Sequence, residues 1–107
     1  MPLKHTVHNG KLLLTIGGGL TIFQAAERKP ELLHALSSAA EDIALDLSGV
    51  DEIDTAGVQL LLLLQREARR GGRGIDVAAY SPAVLTVFDL LQLHGLFGAG
   101  PGQEGAA

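Results

Sequence analysis

The sequence of 107 residues contains no cysteine and no tryptophan, and only 4% of its residues are aromatic. Without cysteine the chain can form no disulfide, thiol nucleophile or cysteine-ligated zinc site, which suits a reducing compartment. Long apolar runs are also missing, because the longest aliphatic stretch, Leu60–Leu64, falls far short of the roughly 20 residues of a membrane-spanning helix. The polar start, MPLKHTVHNGK, does not resemble a signal peptide. We therefore expect a cytoplasmic protein.

An excess of basic residues is absent as well. The chain has 8 basic and 12 acidic residues, a net charge of −4, so nucleic acid is not an expected partner. The composition, 47% hydrophobic with 14 glycines, is typical of one soluble α/β domain with an aliphatic core. We expect that domain to span residues 1–97, followed by a flexible glycine-rich tail over 98–107.

The first half of the chain predicts a hairpin and a helix. Segments 4–8 and 11–17 flank Asn9-Gly10, a dipeptide typical of a two-residue type I′ turn. Thr21 and Gln24 then have the spacing of a capping box. The helical apolar pattern behind them consists of Ile22, Ala25, Ala26, Leu32, Leu33 and Leu36. Pro30 predicts a kink in this helix or a restart at the proline.

The second half alternates strands and helices. Ile43, Leu45 and Leu47 predict a strand of about six residues that ends at Ser48-Gly49. Three more elements follow: a helix from near Thr55 to Arg70, a strand at Ile75–Tyr80, and a helix that Ser81-Pro82 opens and Gly95 ends in a left-handed conformation. This order predicts an α/β fold: a small mixed β-sheet, an initial hairpin then parallel strands, with about three to four helices packed on it.

Recognisable catalytic and cofactor motifs are absent. The four histidines, His5, His8, His34 and His94, have no metal-ligand spacing, and no serine lies in a G-x-S-x-G elbow. Gly17-Gly18-Gly19 lacks the lysine of a phosphate-binding loop, so we predict a flexible loop there. A nucleotide held at that loop would show as thermal stabilisation. We expect no enzyme activity, no cofactor and no metal.

Charge is polarised around one strand–helix junction. Six acids and no base lie between Glu41 and Asp54, including Asp51 and Glu52, and arginines follow from Arg66 onward. The charges fit a solvated loop and a favourable helix dipole as well as they fit a binding surface. Thr55 opens the helix, where its hydroxyl would either cap the helix or accept a phosphate.

A helical wheel divides the leucine-rich helix into two faces. The core-facing stripe consists of Gly57, Leu60, Leu61, Leu64 and Ala68, whereas Gln59, Arg66 and Arg70 lie opposite. Leu62 and Leu63 do not fit the stripe, and Leu62 falls on the side of Thr55, Arg66 and Arg69. Two interpretations stay open: a partner protein contacts this face, or another helix of the same fold covers Leu62 and Leu63.

The motif LDLSGVDEIDTAGVQLLLLLQREA from Leu45, with YSPAVLTVFDLLQLHGLF from Tyr80, resembles the STAS domain, which bacterial anti-sigma factor antagonists share with the cytoplasmic tails of sulfate transporters. The resemblance covers residues 4–97. It implies a non-enzymatic module that binds a protein kinase of the anti-sigma type and is switched off by phosphorylation. Asp54 would be the motif acid, Thr55 the phosphoacceptor and Gly57 a close-packing glycine.

The tetrapeptide D-T-A-G bears on which residue could be phosphorylated and on which STAS proteins the chain is similar to. Several family antagonists carry a second hydroxyl residue before the glycine, but Ala56 stands there, so only Thr55 could be modified. D-T-A-G is also similar to STAS subunits that bind the ATPase of bacterial lipid-transport ABC systems, and to small STAS proteins encoded with chemotaxis components. The expected partner-binding residues are Asp51, Glu52, Asp54, Thr55, Gln59, Leu62 and Arg66.

Overall fold

The computed structural model describes residues 3–8, 10–38 and 40–93. Its elements in chain order are β1 (Leu3–His8), β2 (Lys11–Leu20), α1 (Ile22–Ser38), β3 (Asp42–Ile53), α2 (Thr55–Arg70), β4 (Ile75–Tyr80) and α3 (Pro82–Leu91). The four described strands form one sheet in the order β1-β2-β3-β4, with β1 antiparallel to β2 and the other pairs parallel. The predicted mixed α/β fold is confirmed, with three helices in the described ranges.

One face of the sheet supplies the core. Parallel pairing aligns Leu12 with Ile43 and Leu14 with Leu45, and the next strand continues these rows with Ile75 and Val77. All of these side chains are buried, and they form one cluster with the buried side chains of the three helices. Alternate residues of a strand share a face, so the aliphatic alternation read from the sequence determines which face the helices cover.

Strands β2 and β3 are longer than the sequence predicts. The predicted end of β3 at Ser48-Gly49 is wrong, because β3 runs to Ile53 and contains Asp51 and Glu52. The predicted loop at Gly17–Gly19 is wrong as well, since β2 continues to Leu20. Gly17 pairs with Gly49, and a Cβ on Gly49 would lie only 3.4 Å from the Gly17 Cα. The two strands stay paired through the irregular register at this point.

The proline of α1 does not interrupt the helix. The helix is continuous from Ile22 to Ser38, so of the two predicted alternatives the restart at Pro30 is wrong and the kink stays a prediction. Pro30 and Ala26 are both exposed, so the carbonyl that loses its hydrogen bond lies on the solvent side. Half of the predicted capping box is present at the other end: the Thr21 backbone N–H donates to Gln24 Oε1 at 3.1 Å, whereas the Thr21 hydroxyl donates to the same oxygen instead of accepting from the Gln24 backbone N–H.

Helix α3 begins as predicted and ends earlier than predicted. Ser81 Oγ accepts a hydrogen bond from the Val84 backbone N–H at 3.1 Å, which confirms the Ser-Pro cap. The helix ends at Leu91, and Gln92 takes the left-handed conformation with φ of 54°, so the assignment of that role to Gly95 is wrong. Gly95 itself, the turn residue Asn9 and the tail 98–107 lie outside the described residues. Among the described helices, none is long and apolar enough to cross a bilayer.

Candidate functional site

The N-terminus of α2 is capped by Asp54, the residue that precedes the helix. Its Oδ1 accepts hydrogen bonds from the backbone N–H groups of Ala56 at 2.9 Å and Gly57 at 3.2 Å. Its Oδ2 accepts another from the backbone N–H of Ile22, the first residue of α1, at 3.0 Å. One carboxylate therefore binds N–H groups that two helices leave without an intrahelical partner.

Helices α1 and α2 run in the same direction. Their N-termini share Asp54, and at their other ends the Arg73 guanidinium, just beyond α2, donates a hydrogen bond to the Leu36 carbonyl in the last turn of α1. Parallel helices bring two positive dipole ends to the same place. Negative charge beside Asp54 and Thr55 is consequently stabilised by both helices.

Thr55 is the first residue of α2, and it is exposed. Its hydroxyl makes no hydrogen bond to any residue that the structure describes. The capping that the sequence could have assigned to Thr55 is performed by Asp54. Among the described residues, the threonine hydroxyl therefore makes no contact that stabilises the helix terminus.

The acids Asp51 and Glu52 lie near the end of β3, shortly before this helix terminus. Both side chains are exposed, and neither forms an ion pair with a described residue. They lie in a paired strand, where Glu52 aligns with Gly19, and not in the turn that the sequence suggested. With Asp54, they place three acidic residues at this end of the sheet.

Gly57 packs against the strand that leads into α1. A Cβ on Gly57 would lie 2.0 Å from the Leu20 carbonyl oxygen and 2.9 Å from Ile53 Cγ1. Such distances leave no room for any side chain. The glycine thus allows the first turn of α2 to lie directly on the ends of β2 and β3, which fixes the position of Thr55.

The predicted core stripe of α2 is confirmed, since Gly57, Leu60, Leu61, Leu64 and Ala68 are all buried. Two further residues of this helix, Val58 and Gln65, are buried although the wheel did not place them there. Gln59, Arg66 and Arg70 are exposed, as predicted.

Leu62 and Leu63 are half-buried beside α1, which packs against α2. Helix α1 covers part of these side chains, as the second interpretation expects, and leaves a groove over the rest; contact of this face with a partner protein stays a prediction. The first part of this groove has a volume of about 520 Å³ and is lined by Ala25, Ala26, Lys29, Ala56, Gln59, Leu60, Leu62, Leu63 and Arg66. It begins one residue after Thr55.

Sequence reasoning missed Ile22 and Phe23 as surface residues. The apolar pattern began with Ile22, Ala25 and Ala26, which predicted that all three face the core. Only Ala25 is buried, and Ile22 is 63% exposed. Phe23 is 82% exposed. The Asp54–Ile22 hydrogen bond brings this apolar pair to the N-terminus of α2. The available signal was the bulky Ile-Phe pair directly after the capping threonine, in the first turn of a helix.

Metal ligation has no visible basis in the described part of the chain. No three His, Asp or Glu side chains there converge in a way that could hold a metal ion. The arrangement instead offers an exposed hydroxyl, exposed apolar side chains and a groove, which are features of a surface that contacts another macromolecule.

Comparison with known proteins identifies the fold family. The family described as "Mlab, STAS domain" matches residues 6–98. The chain belongs to the STAS domain family. This match confirms the resemblance read from the D-T-A-G segment, and it spans every described helix of the STAS domain and most of its sheet.

Individual relatives of this STAS domain are anti-sigma factor antagonists by name. BtrV of Bordetella bronchiseptica, which is named as one, is 24% identical over 99 residues that cover 92% of this chain and 85% of BtrV. Among solved structures, a Thermotoga maritima protein described as a "putative anti-sigma factor antagonist" matches with a TM-score of 0.74 at 20% identity, covering 85% of this chain and 79% of that one. The phosphorylated form of Bacillus SpoIIAA matches with a TM-score of 0.68 at 20% identity, covering 98% and 96%. At these identities the structural matches establish a shared fold.

Proposed function

We propose that this STAS domain is a non-enzymatic, anti-sigma factor antagonist-like interaction module that binds a kinase-type anti-sigma factor or another signalling protein. Phosphorylation of Thr55 switches the binding off. The observation that carries the proposal is the uncommitted Thr55 hydroxyl, exposed at the start of α2 while Asp54 caps the helix. Proteins of this class act inside the cell, so the proposed function places the chain in the cytoplasm.

The proposed partner surface surrounds Thr55. Apolar contact comes from Ile22 and Phe23 on one side and from Leu62 in the groove on the other. Aromatic side chains such as Phe23 are enriched in protein interfaces, and burial of exposed apolar surface favours association. The polar members of the surface are Asp51, Glu52, Asp54, Gln59 and Arg66.

The switch is local. Transfer of the γ-phosphoryl group of ATP to Thr55 Oγ1 releases ADP and a proton and adds about −1.5 to −2 charges at pH 7. The two helix dipoles stabilise that charge in the free protein. In a complex the dianion would have to be desolvated near the acids Asp51 and Glu52, which opposes binding.

The test is a pull-down from the source cell's lysate with wild type, Thr55→Ala and Thr55→Glu as baits, and identification of bound proteins by mass spectrometry. We expect a kinase-like or signalling partner that wild type and Thr55→Ala retain and Thr55→Glu loses. The purified partner with ATP should then add one phosphate to wild type and none to Thr55→Ala.

A matched control uses Thr86→Glu, the same substitution at an exposed threonine of α3. This variant should bind as wild type does. Binding that Thr55→Glu leaves intact would remove Thr55 from the function, and equal loss in Thr86→Glu would show that added charge alone weakens the contact.

A second candidate function is an accessory subunit of an ABC transporter. The matching family is described by the name Mlab, and D-T-A-G is similar to STAS subunits that bind the ATPase of lipid-transport ABC systems. In that case Thr55 is part of a docking surface and is not modified. Co-purification of a transport ATPase with unphosphorylated wild-type protein would favour this candidate over the first.

A further inference from the structure

The groove between α1 and α2 extends along both helices. Its first part begins at Ala56, and a second part of about 520 Å³ continues toward the C-terminal ends, where Leu33, His34 and Glu67 contribute to it. The two parts share Lys29 and Leu63. From Ala56 to Arg66 the groove follows α2 for about 15 Å, at a rise of about 1.5 Å per residue.

The walls of the first part are small and apolar. Ala25, Ala26 and Ala56 carry only a methyl group each, so the backbone of another segment could approach both helices closely. Leu62 and Leu63 provide half-buried apolar surface below. Such a groove accommodates an amphipathic helix with apolar residues at i, i+3, i+4 and i+7.

The rim of the groove is basic. Lys29 on α1 and Arg66 on α2 are both exposed, and neither forms an ion pair with any residue in the described ranges. Two other cations form ion pairs: Lys11 pairs with Asp76 at 3.3 Å, and Arg70 pairs with Glu67 at 2.9 Å. In a protein with a net charge of −4, two unpaired cations on opposite walls of one apolar groove are complementary to an acidic ligand.

We propose that this groove binds an amphipathic helix of the partner protein, with carboxylates on the helix flanks that pair with Lys29 and Arg66. This inference rests on the proposed function, since it gives the chemistry of the partner that the Thr55 surface recognises. The end of the bound helix would lie next to Ala56 and therefore beside Thr55. A phosphate on Thr55 would repel the flanking carboxylates as well as resist desolvation.

Two dye-labelled synthetic helices of about 15 residues provide the probe. They share the same leucine positions and differ only in their flanking residues, which are glutamates in one peptide and lysines in the other. We expect the glutamate peptide to bind wild type at least about tenfold more tightly than the lysine peptide, by fluorescence anisotropy. Amide chemical shifts of a ¹⁵N-labelled protein should change at Ala26, Ala56 and Leu62.

Variants separate the groove from general charge attraction. Arg66→Glu should weaken binding of the glutamate peptide about tenfold, whereas Arg69→Glu, an equal charge change at an exposed position of the same helix outside the groove, should weaken it less than about threefold. Ala26→Trp should abolish binding by filling the groove, with circular dichroism showing an unchanged fold.

Three results would overturn the proposal. These are that neither peptide binds, that both peptides bind equally well, or that the chemical shift changes occur at residues outside α1 and α2. A self-association of the free protein that Ala26→Trp dissolves would assign the groove to a second copy of this chain and also overturn it.

The peptide experiment uses no kinase and no modified threonine, so it fails independently of the switch. Loss of peptide binding together with a Thr55-dependent partner in the pull-down would reject the groove and leave the proposed function standing. Binding of the acidic peptide together with a partner whose binding Thr55→Glu does not change would support the groove and reject the switch at Thr55.

Discussion

The carboxylate of Asp54 lies 3.0 Å from the backbone nitrogen of Ile22, although the two residues are 32 positions apart in the chain. The same carboxylate caps α2 through Ala56 and Gly57. One side chain therefore holds the first turns of both helices in a fixed relation, with exposed Ile22, Phe23 and Thr55 around it. The acid of the D-T-A-G segment has a structural role that is independent of any partner.

Removal of this carboxylate should destabilise the fold. Asp54→Ala leaves N–H groups of two helix termini without their acceptor, and a lost N-cap typically costs about 1 kcal/mol, so we expect a decrease of about 2 kcal/mol in the free energy of unfolding. Urea denaturation followed by circular dichroism measures it. Asp51→Ala, which removes an exposed carboxylate with no described partner, is the control and should change stability by less than about 0.5 kcal/mol. Equal effects of the two substitutions would contradict the double cap.

Gly57 should tolerate no side chain. In Gly57→Ala the new Cβ would lie 2.0 Å from the Leu20 carbonyl oxygen, a backbone atom that can move only if β2 and α2 separate. We expect a loss of about 2–3 kcal/mol or failure to fold. The control is Gly74→Ala, where the nearest atoms are those of the Asp42 carboxylate at 3.6–3.8 Å, an ordinary contact distance. A Gly57→Ala protein as stable as Gly74→Ala in urea would show that the first turn of α2 is not held against β2.

Negative charge at position 55 should not destabilise the free protein. The Thr55 side chain is exposed and caps nothing, and a glutamate in the first turn of a helix interacts favourably with the helix dipole by about 0.3–1 kcal/mol. We therefore expect the melting temperature of Thr55→Glu to equal that of wild type within a few degrees, measured by calorimetry. Unfolding of Thr55→Glu would reassign Thr55 to a structural role and would make any loss of partner binding uninformative. Val58→Glu, a charge at a buried position one turn along, should unfold the domain and calibrates the measurement.

The elements that the sequence predicted well have local signals. The Ser81 cap, the end of α2 at Arg70 and the aliphatic alternation of β3 each depend on residues within one turn or one strand, and all three are confirmed. The errors arose where pairing between distant segments overrides a local signal. Gly17–Gly19 and Ser48-Gly49 look like strand ends individually, yet both segments lie within β2 and β3, which continue side by side.

In the candidate site too, local features could be predicted from the sequence and contacts between distant segments could not. The residue pattern placed Thr55 at a helix terminus because adjacent residues encode that terminus, and the resemblance of the D-T-A-G segment added the expected roles of Asp54 and Thr55. The exposed Ile22 and Phe23 could not be associated with it, since only the tertiary contact between Asp54 and the start of α1 brings them there. The groove is likewise a product of two parallel helices and not of either helix alone.

Tyr80, the chain's one tyrosine, provides a pH-dependent check on the packing of α3 against the sheet. Its ring meets Phe88 edge to face, with ring centroids 5.4 Å apart. Burial raises the pKa of the Tyr80 phenol above its ordinary value of 10.0, and the Asp76 carboxylate raises that pKa further. In the unfolded chain the phenol has its ordinary pKa, so the unfolded state loses the proton first as the pH rises.

Stability should therefore be unaffected by Tyr80 ionisation below about pH 10 and should fall as the pH rises from there toward the raised pKa of the folded state. Phenolate absorbance should titrate at higher pH in native buffer than in concentrated urea. Tyr80→Phe keeps the ring contact and removes the ionisable group, so its free energy of unfolding should gain on that of wild type only above about pH 10. Coincident titrations in buffer and in urea would mean that the tyrosine side chain is solvated and that α3 does not cover it.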